Sequence, residues 1–303
     1  MKKQLLRLLL CAGLLAGLFT VTALAADWTY DPTAQTLTHT LSSDTVVLKN
    51  VTDDGSGKLT IGSYQNFTGA ALDLTGQITD SDGNTYAITA LGGSAFHGCG
   101  TLTTVALPES LTSIETYAFY SCSDLATVDF SRCTNLTIID MYAFSNCTSL
   151  AAVDLSGCTS LSTIEGYAFQ TCGLTTMDLS GCTNLSSIGQ CTFTSCDDLT
   201  SMTLPNSLTG IGDEAFYGCS NLDELVLLSK NPPTLGEDAL LAVSQDFRII
   251  VPEENAEAYK TAEGWKDVAG SVHGLTYQLE VTPPNGSLEI FRGEPPRGQI
   301  PRR

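Results

Sequence analysis

The sequence predicts a solenoid: short parallel β-strands joined by irregular return segments, with a β-rich cap before the repeats and a strand–helix cap after them. Two observations predict it. The dipeptide Ala-Phe, with a cysteine three residues beyond the Phe, recurs at Ala95-Phe96…Cys99, Ala118-Phe119…Cys122, Ala143-Phe144…Cys147, Ala168-Phe169…Cys172 and Ala215-Phe216…Cys219, and Thr192-Phe193…Cys196 is a variant of it. An aliphatic residue stands four positions before each small residue, at Leu91, Ile114, Ile139, Ile164, Ile188 and Ile211, and the units follow at spacings of 23, 25, 25, 24 and 23. Self-similarity at a period of this length marks a stacked-repeat architecture.

The first 25 residues stand apart from the fold. Lys2, Lys3 and Arg7 precede a nearly unbroken apolar stretch over 8–21, and Ala23-Leu24-Ala25 supplies the small-x-small pattern of a cleavage site. Residues 1–25 therefore read as a signal peptide cleaved after Ala25, which makes the mature chain secreted or exposed at the extracellular surface. The stretch is short for a membrane span. Cys11 lies inside the apolar run behind Leu8-Leu9-Leu10, which argues against lipid attachment.

Residues 26–85 lack the repeat. Strand-like runs such as Thr45-Val46-Val47-Leu48 and Leu59-Thr60-Ile61 are broken by Asp53-Asp54-Gly55-Ser56-Gly57, and residues 78–88 read as a hairpin around Asp80-Ser81-Asp82-Gly83-Asn84. The first turn of a solenoid has an apolar face to cover, so this region is expected to be a β cap.

The solenoid with its C-terminal cap is expected over 86–270. One unit reads Leu150-x-x-Val153-x-Leu155-x-x-Cys158-x-x-Leu161-x-x-Ile164-x-x-x-Ala168-Phe169. Val153 and Leu155 point to the same side of a strand and Asp154 to the other, while Leu161, Ile164, Ala168 and Phe169 return behind it and fill the coil. A single unit cannot bury its own apolar face, but stacked units cover one another. Two corners carry Pro, at Leu107-Pro108-Glu109-Ser110-Leu111 and Leu204-Pro205-Asn206-Ser207-Leu208. Three are longer, with Cys133, Cys158 and Cys182 in a Ser-x-Cys-Thr-x-Leu segment, and a corner tolerates such an insertion at little cost.

These residues (Leu-x-x-Val-x-Leu, the Pro-x-x-Leu corners and the Ile-x-x-x-Ala-Phe-x-x-Cys turn) resemble the leucine-rich repeat superfamily, and most closely the BspA-type repeats of bacterial and protist surface proteins. The resemblance covers roughly 86–268. It implies secreted or cell-surface proteins that adhere to host matrix proteins or to other cells, and it implies no reaction.

After Pro232-Pro233-Thr234-Leu235 interrupts the pattern, residues 248–252 read as a last strand. Residues 253–265 read as a short helix with Ala256, Tyr259 and Trp265 on its inner side. Residues 271–303 read as a linker or the opening strands of a truncated β module, followed by a basic, proline-containing, disordered end.

Charge narrows the function classes. The chain has 14 Lys and Arg against 33 Asp and Glu. Removal of the leader leaves 11 against 33, a net charge of −22. A surface so acidic repels nucleic acid and anionic lipid. No second apolar stretch long enough to cross a membrane follows. His39, His97 and His273 lie in three separate regions, so no nucleophile–base pair suggests itself; neither an enzyme nor a cofactor is expected.

Three sets of residues repeat at one position each. Cys99, Cys122, Cys147, Cys172, Cys196 and Cys219 form one ladder, Cys133, Cys158 and Cys182 a second, and Cys191 stands alone; they read as buried thiols, with some disulfides as the alternative. The cysteines lack Cys-x-x-Cys pairs, which argues against zinc, and no metal site is expected. Asp129, Asp154 and Asp178 should stack as like charges, either as a solvated face or as a stripe receiving a basic partner or a divalent cation. Tyr117, Tyr142 and Tyr167, with Glu115, Asp140 and Glu165 beside them, form either a packing column or a strip that docks a protein or glycan. The Asp-rich runs at 53–55 and 80–84 are explained by turn chemistry as well as by calcium. The reading that results is a binding protein for an extracellular protein or glycan. Its alternative is a structural spacer that presents a further C-terminal module.

Overall fold

The structure, a computed structural model, describes residues 27–40, 45–65 and 67–275, together with the backbone of the strands Tyr277–Glu280 and Glu289–Arg292. The leader at 1–25, with Cys11, and the expected disordered end lie outside the described residues.

The chain coils into about eight turns. Each regular turn adds a strand to each of two parallel sheets. One sheet runs through Ala71–Asp73, Thr104–Ala106, Thr127–Asp129, Ala152–Asp154, Thr176–Asp178, Ser201–Leu204, Glu224–Leu227, Arg248–Pro252 and Val272–Leu275. The other runs from Thr85–Leu91 through Ser113–Ile114, Ile138–Ile139, Thr163–Ile164, Ser187–Ile188 and Gly210–Ile211 to Thr234–Leu235. The return side, read from sequence as irregular, thus holds a second sheet of two-residue strands. Hydroxyls reinforce it: Thr112, Thr137, Ser162 and Thr209 each donate Oγ to the carbonyl one turn back at 2.8–3.0 Å, beside the backbone N–H of the same residue.

Between the sheets lies one continuous core. Phe96, Phe119, Phe144, Phe169, Phe193 and Phe216 are buried, and their rings stack at 5.2, 5.1, 5.3, 5.7 and 5.4 Å, within 10° of parallel. Each buried Phe contributes about 1.5–3 kcal/mol, and each stacked pair about 0.5–1.5 kcal/mol more. The first cysteine ladder runs beside the rings. Cys122, Cys147, Cys172, Cys196 and Cys219 donate Sγ–H to the carbonyl of the preceding turn's Phe at 3.0–3.2 Å. Cys133, Cys158 and Cys182 reach the carbonyls of Pro108, Phe130 and Leu155. Among the described residues the ten cysteines are free thiols, all buried.

Two residues per turn take the left-handed conformation. One series is Ser94, Tyr117, Tyr142, Tyr167, Cys191, Glu214 and Asp238, with φ between 52° and 63°. Four residues further on, Gly98, Ser121, Asn146, Thr171, Ser195, Gly218 and Ala242 form the other. Between these bends the backbone N–H groups of the Ala-Phe segment donate forward, as in Phe119 N to Ala143 O at 2.7 Å, whereas those of the following strand donate back.

Parallel pairing begins upstream of the boundary at residue 86. Lys58–Ile61 pairs in parallel with Thr85–Leu91, and Ala71–Asp73 with Thr104–Ala106. Leu59, Ile61, Leu72 and Leu74 are buried there, and Tyr64 stacks on Phe96 at 6.0 Å to extend the aromatic ladder. This turn fills the coil without the Ala-Phe-Cys motif, so it does not show in the repeat. Antiparallel strands Trp28–Asp31, Thr36–Thr40, Thr45–Lys49 and Ser63–Gln65 precede or flank it, with Trp28 and Leu37 buried. The hairpin expected at 78–88 pairs Ile78–Thr79 with Thr85–Leu91. At its bend the Asp80 carboxylate accepts from Asn84 Nδ2, Tyr86 OH and the N–H groups of Asp82 and Asn84, with Asn84 foremost in holding its pKa down to about 2. Asp53 and Asp54 likewise accept from Gly55, Gly57 and Ser56 N–H groups, so both acidic runs serve their own turns.

At the other end a 3-10 turn, Glu253–Asn255, leads into the short helix Ala256–Thr261. Trp265 lies just past the helix, buried edge-on against Tyr259 at 5.1 Å, and its indole N–H donates to Pro233 O at 2.7 Å. The Tyr259 hydroxyl meets Ser229 Oγ at 2.6 Å, and burial lifts its pKa to about 12. Beyond residue 276 the backbone forms an antiparallel hairpin, Tyr277–Glu280 with Glu289–Arg292.

Candidate functional site

The aspartate stripe sits where the first sheet ends in each turn. Asp154 pairs with Asp178, and Asp129 precedes them in the same column. Each carboxylate Oδ1 accepts the N–H two residues on: Asp129 from Ser131 at 2.9 Å, Asp154 from Ser156 at 2.9 Å and Asp178 from Ser180 at 2.8 Å. Asp73, two rungs before Asp129 in the sheet, does the same for Thr75. The stripe is thus a series of side-chain turns that steer the chain off the strand into the corner. No group of three or more carboxylate, imidazole or thiol side chains spaced to hold a metal ion occurs among the described residues.

The tyrosine column has a different character. Tyr117 and Tyr142 stack at 4.9 Å and 10°, and Tyr142 and Tyr167 at 4.6 Å and 9°. Tyr120 packs its ring across Tyr117 at 5.3 Å and 82°. Tyr117 and Met141 are each 39% exposed, while Tyr142 and Tyr167 are half-buried. All three tyrosines occupy the left-handed position, at φ 61°, 58° and 62°. That conformation disfavours bulky side chains by about 1–2 kcal/mol per residue, a cost of the same order as the stacking gain. Burial raises the pKa of Tyr142, and a hydrogen bond with the Cys191 thiol raises that of Tyr167.

Cys191 is not a stray residue. Its φ of 52° places it in the tyrosine series one turn beyond Tyr167, and its Sγ lies 3.7 Å from Glu214 Oε2, the next member. Aligning Cys191-Thr192-Phe193 with Tyr167-Ala168-Phe169 finds it; a thiol where the preceding turns carry a tyrosine reads as part of neither cysteine ladder. The acidic row beside the column is anchored in part. Glu115 Oε2 accepts Gly93 N–H at 3.1 Å, and Asp140 accepts Thr116 Oγ1 at 3.0 Å and Met141 N–H at 2.7 Å. His97 tilts over Tyr120 at 5.2 Å, while His39 and His273 lie in the two caps, so the histidines are not brought together.

Two parallel sheets, inward Leu, Ile, Phe and Cys ladders and one turn per 23–25 residues define a leucine-rich repeat solenoid. The BspA type leucine rich repeat region matches residues 83–183 and 162–259 in six copies, and the chain belongs to that family. It is a non-enzymatic scaffold family generally involved in protein interaction. Among solved structures, the chain is similar to a leucine rich cell surface protein from Faecalibacterium prausnitzii A2-165, at 23% identity and a TM-score of 0.56, over 80% of this chain and 58% of that one. It is also similar to a leucine-rich repeat protein from Bacteroides ovatus, at 19% identity and a TM-score of 0.44, over 69% of this chain and 70% of that one. Another is the leucine-rich repeat protein of T. pallidum, at 26% identity and a TM-score of 0.39, over 58% and 67%. No curated protein sequence matches it significantly. Among the described residues no helix is long and apolar enough to cross a membrane.

Proposed function

We propose that the chain is an exported binding scaffold, secreted or held at the cell surface, that docks an extracellular protein or glycan through the Tyr117–Tyr142–Tyr167 column. The signal-peptide pattern and the family support export. The carrying observation is the column itself: three aromatic rings stacked on backbone that disfavours them, with Tyr117 and Met141 open to solvent. The left-handed bend recurs in every turn, under Ser94, Cys191, Glu214 and Asp238 as well, so the bend belongs to the coil and the choice of Tyr at three successive bends is what supports the reading. Tyrosine also pairs a large contact area with a polar tip, as binding hot spots do. This reading takes the Asp129–Asp154–Asp178 stripe as corner-forming residues, which their hydrogen bonds to the N–H groups two residues on support.

The test is capture of extracellular proteins and glycans by the chain and by a variant with all three tyrosines changed to Ser. Ser94 already adopts the same left-handed conformation, at φ 63°, so serine suits the position. The expected result is at least a tenfold loss of captured partner with an unchanged far-UV spectrum. Equal capture by the folded variant removes the column from the reading.

A further inference from the structure

The column stops one turn short of the repeats. At the position of Tyr117 the preceding turn carries Ser94, and around it Gly93, Ser94, His97 and Gly98 are exposed. Tyr117 has Tyr142 against one face and Tyr120 across it, and it is the most exposed ring of the three. A planar group in the Ser94 rung would lie one turn spacing from Tyr117, about 4.8 Å, within cation–π range. Glu115 reaches back into that same rung, where its Oε2 is fixed by Gly93 N–H at 3.1 Å. The rung therefore offers an aromatic ring and an anchored carboxylate side by side, above a small hydroxyl residue.

The charge around it selects the occupant. Arg132 is the only Lys or Arg between Lys58 and Lys230, a stretch that holds 17 Asp and Glu. We propose that the Ser94 rung, between Tyr117 and Glu115, is a slot for an arginine side chain of a basic polypeptide partner. A guanidinium is flat enough to continue the tyrosine stack, and its fork of N–H donors meets a carboxylate in two hydrogen bonds. A lysine ammonium is a strongly hydrated point charge and does only part of this. The slot deepens the proposed docking column, on which it rests, by naming the partner's chemistry at the column's open end.

The probes are a fluorescently labelled nine-residue arginine peptide and its lysine counterpart, titrated by anisotropy against the whole chain in 150 mM salt. The arginine peptide is expected to bind about threefold or more tightly, from the cation–π contact. Two variants locate the effect. Ser94→Tyr fills the rung with the residue that the next three turns carry there and is expected to abolish the arginine preference. Glu115→Gln is expected to weaken arginine binding about fivefold, while Asp197→Asn, in a distant turn, leaves the preference in place. Equal affinities for the two peptides overturn the slot, as does a preference that survives Ser94→Tyr. Glycan binding that Ser94→Tyr removes, with no arginine preference, overturns it in favour of a sugar. Ser94→Tyr leaves the three tyrosines intact, so loss of the slot is distinguishable from loss of the column, which the triple serine variant reads.

Discussion

Replacing Asp129, Asp154 and Asp178 together, once with Asn and once with Ala, separates two effects of each carboxylate. The first is repulsion along the column. Charges one strand spacing apart, about 4.8 Å, repel by about 0.9 kcal/mol per pair in water, and physiological salt reduces that by roughly half. Both variants remove this term equally. The second is the hydrogen bond from Ser131, Ser156 or Ser180 N–H, at 2.8–2.9 Å. Asn keeps an acceptor oxygen in the same place, and Ala does not. Each bond is worth about 1 kcal/mol, so the Ala variant should be less stable than the Asn variant by about 3 kcal/mol. For a domain of this size that is roughly 6–12 °C in Tm. Thermal unfolding followed by circular dichroism at 150 mM salt measures the difference, and at 10 mM salt the Asn variant should gain further on the unsubstituted protein. Melting points of the two variants within about 2 °C of each other would refute the corner role and return the stripe to the candidate binding residues.

Phe144→Ala removes a ring stacked on both sides, at 5.1 and 5.3 Å, and touched edge-on by Phe130. It should cost about 3–5 kcal/mol, and Phe144→Leu less than half of that, by thermal or urea unfolding. Burial lifts the thiols of Cys122, Cys133, Cys182 and Cys219 to about 12, against an ordinary thiol near 9. A folded-state pKa raised this way contributes stability that is complete below about pH 9 and lost as pH rises toward 12, at up to about 1.4 kcal/mol per pH unit for each thiol. Unfolding scans should therefore be flat from this source at pH 6–8 and fall steeply above pH 9. Thiol counting on a chain that starts at residue 26 should find ten reactive cysteines after denaturation without reductant, and few before; persistent disulfides would contradict the ladder. Trp265→Ala should destabilise the chain by about 3–5 kcal/mol. Hydrogen exchange should rise first in the strand Thr234–Leu235, beside the Pro233 carbonyl that accepts the Trp265 indole N–H.

Sequence alone determined the period, the inward ladders and both caps. Leu, Ile, Phe and Cys recur at one spacing because each must reach the same interior, so a repeated local pattern reports a repeated burial. Ala256, Tyr259 and Trp265 were legible as the inward residues of the closing segment, and all three are buried, although the helix ends at Thr261 and Trp265 lies beyond it. Tertiary structure decided what the motif leaves free. The second sheet, the turn at 58–75 that lacks Ala-Phe-Cys, the corner bonds of the aspartates and the entry of Cys191 into the tyrosine series all depend on the register between residues in neighbouring turns. The left-handed backbone under Tyr117, Tyr142 and Tyr167 is set by the coil's two bends per turn, and tyrosine itself does not predict it. The open rung at Ser94 exists because the aromatic column begins one turn later than the phenylalanine ladder, and stacking alone turns that sequence offset into a place beside a ring.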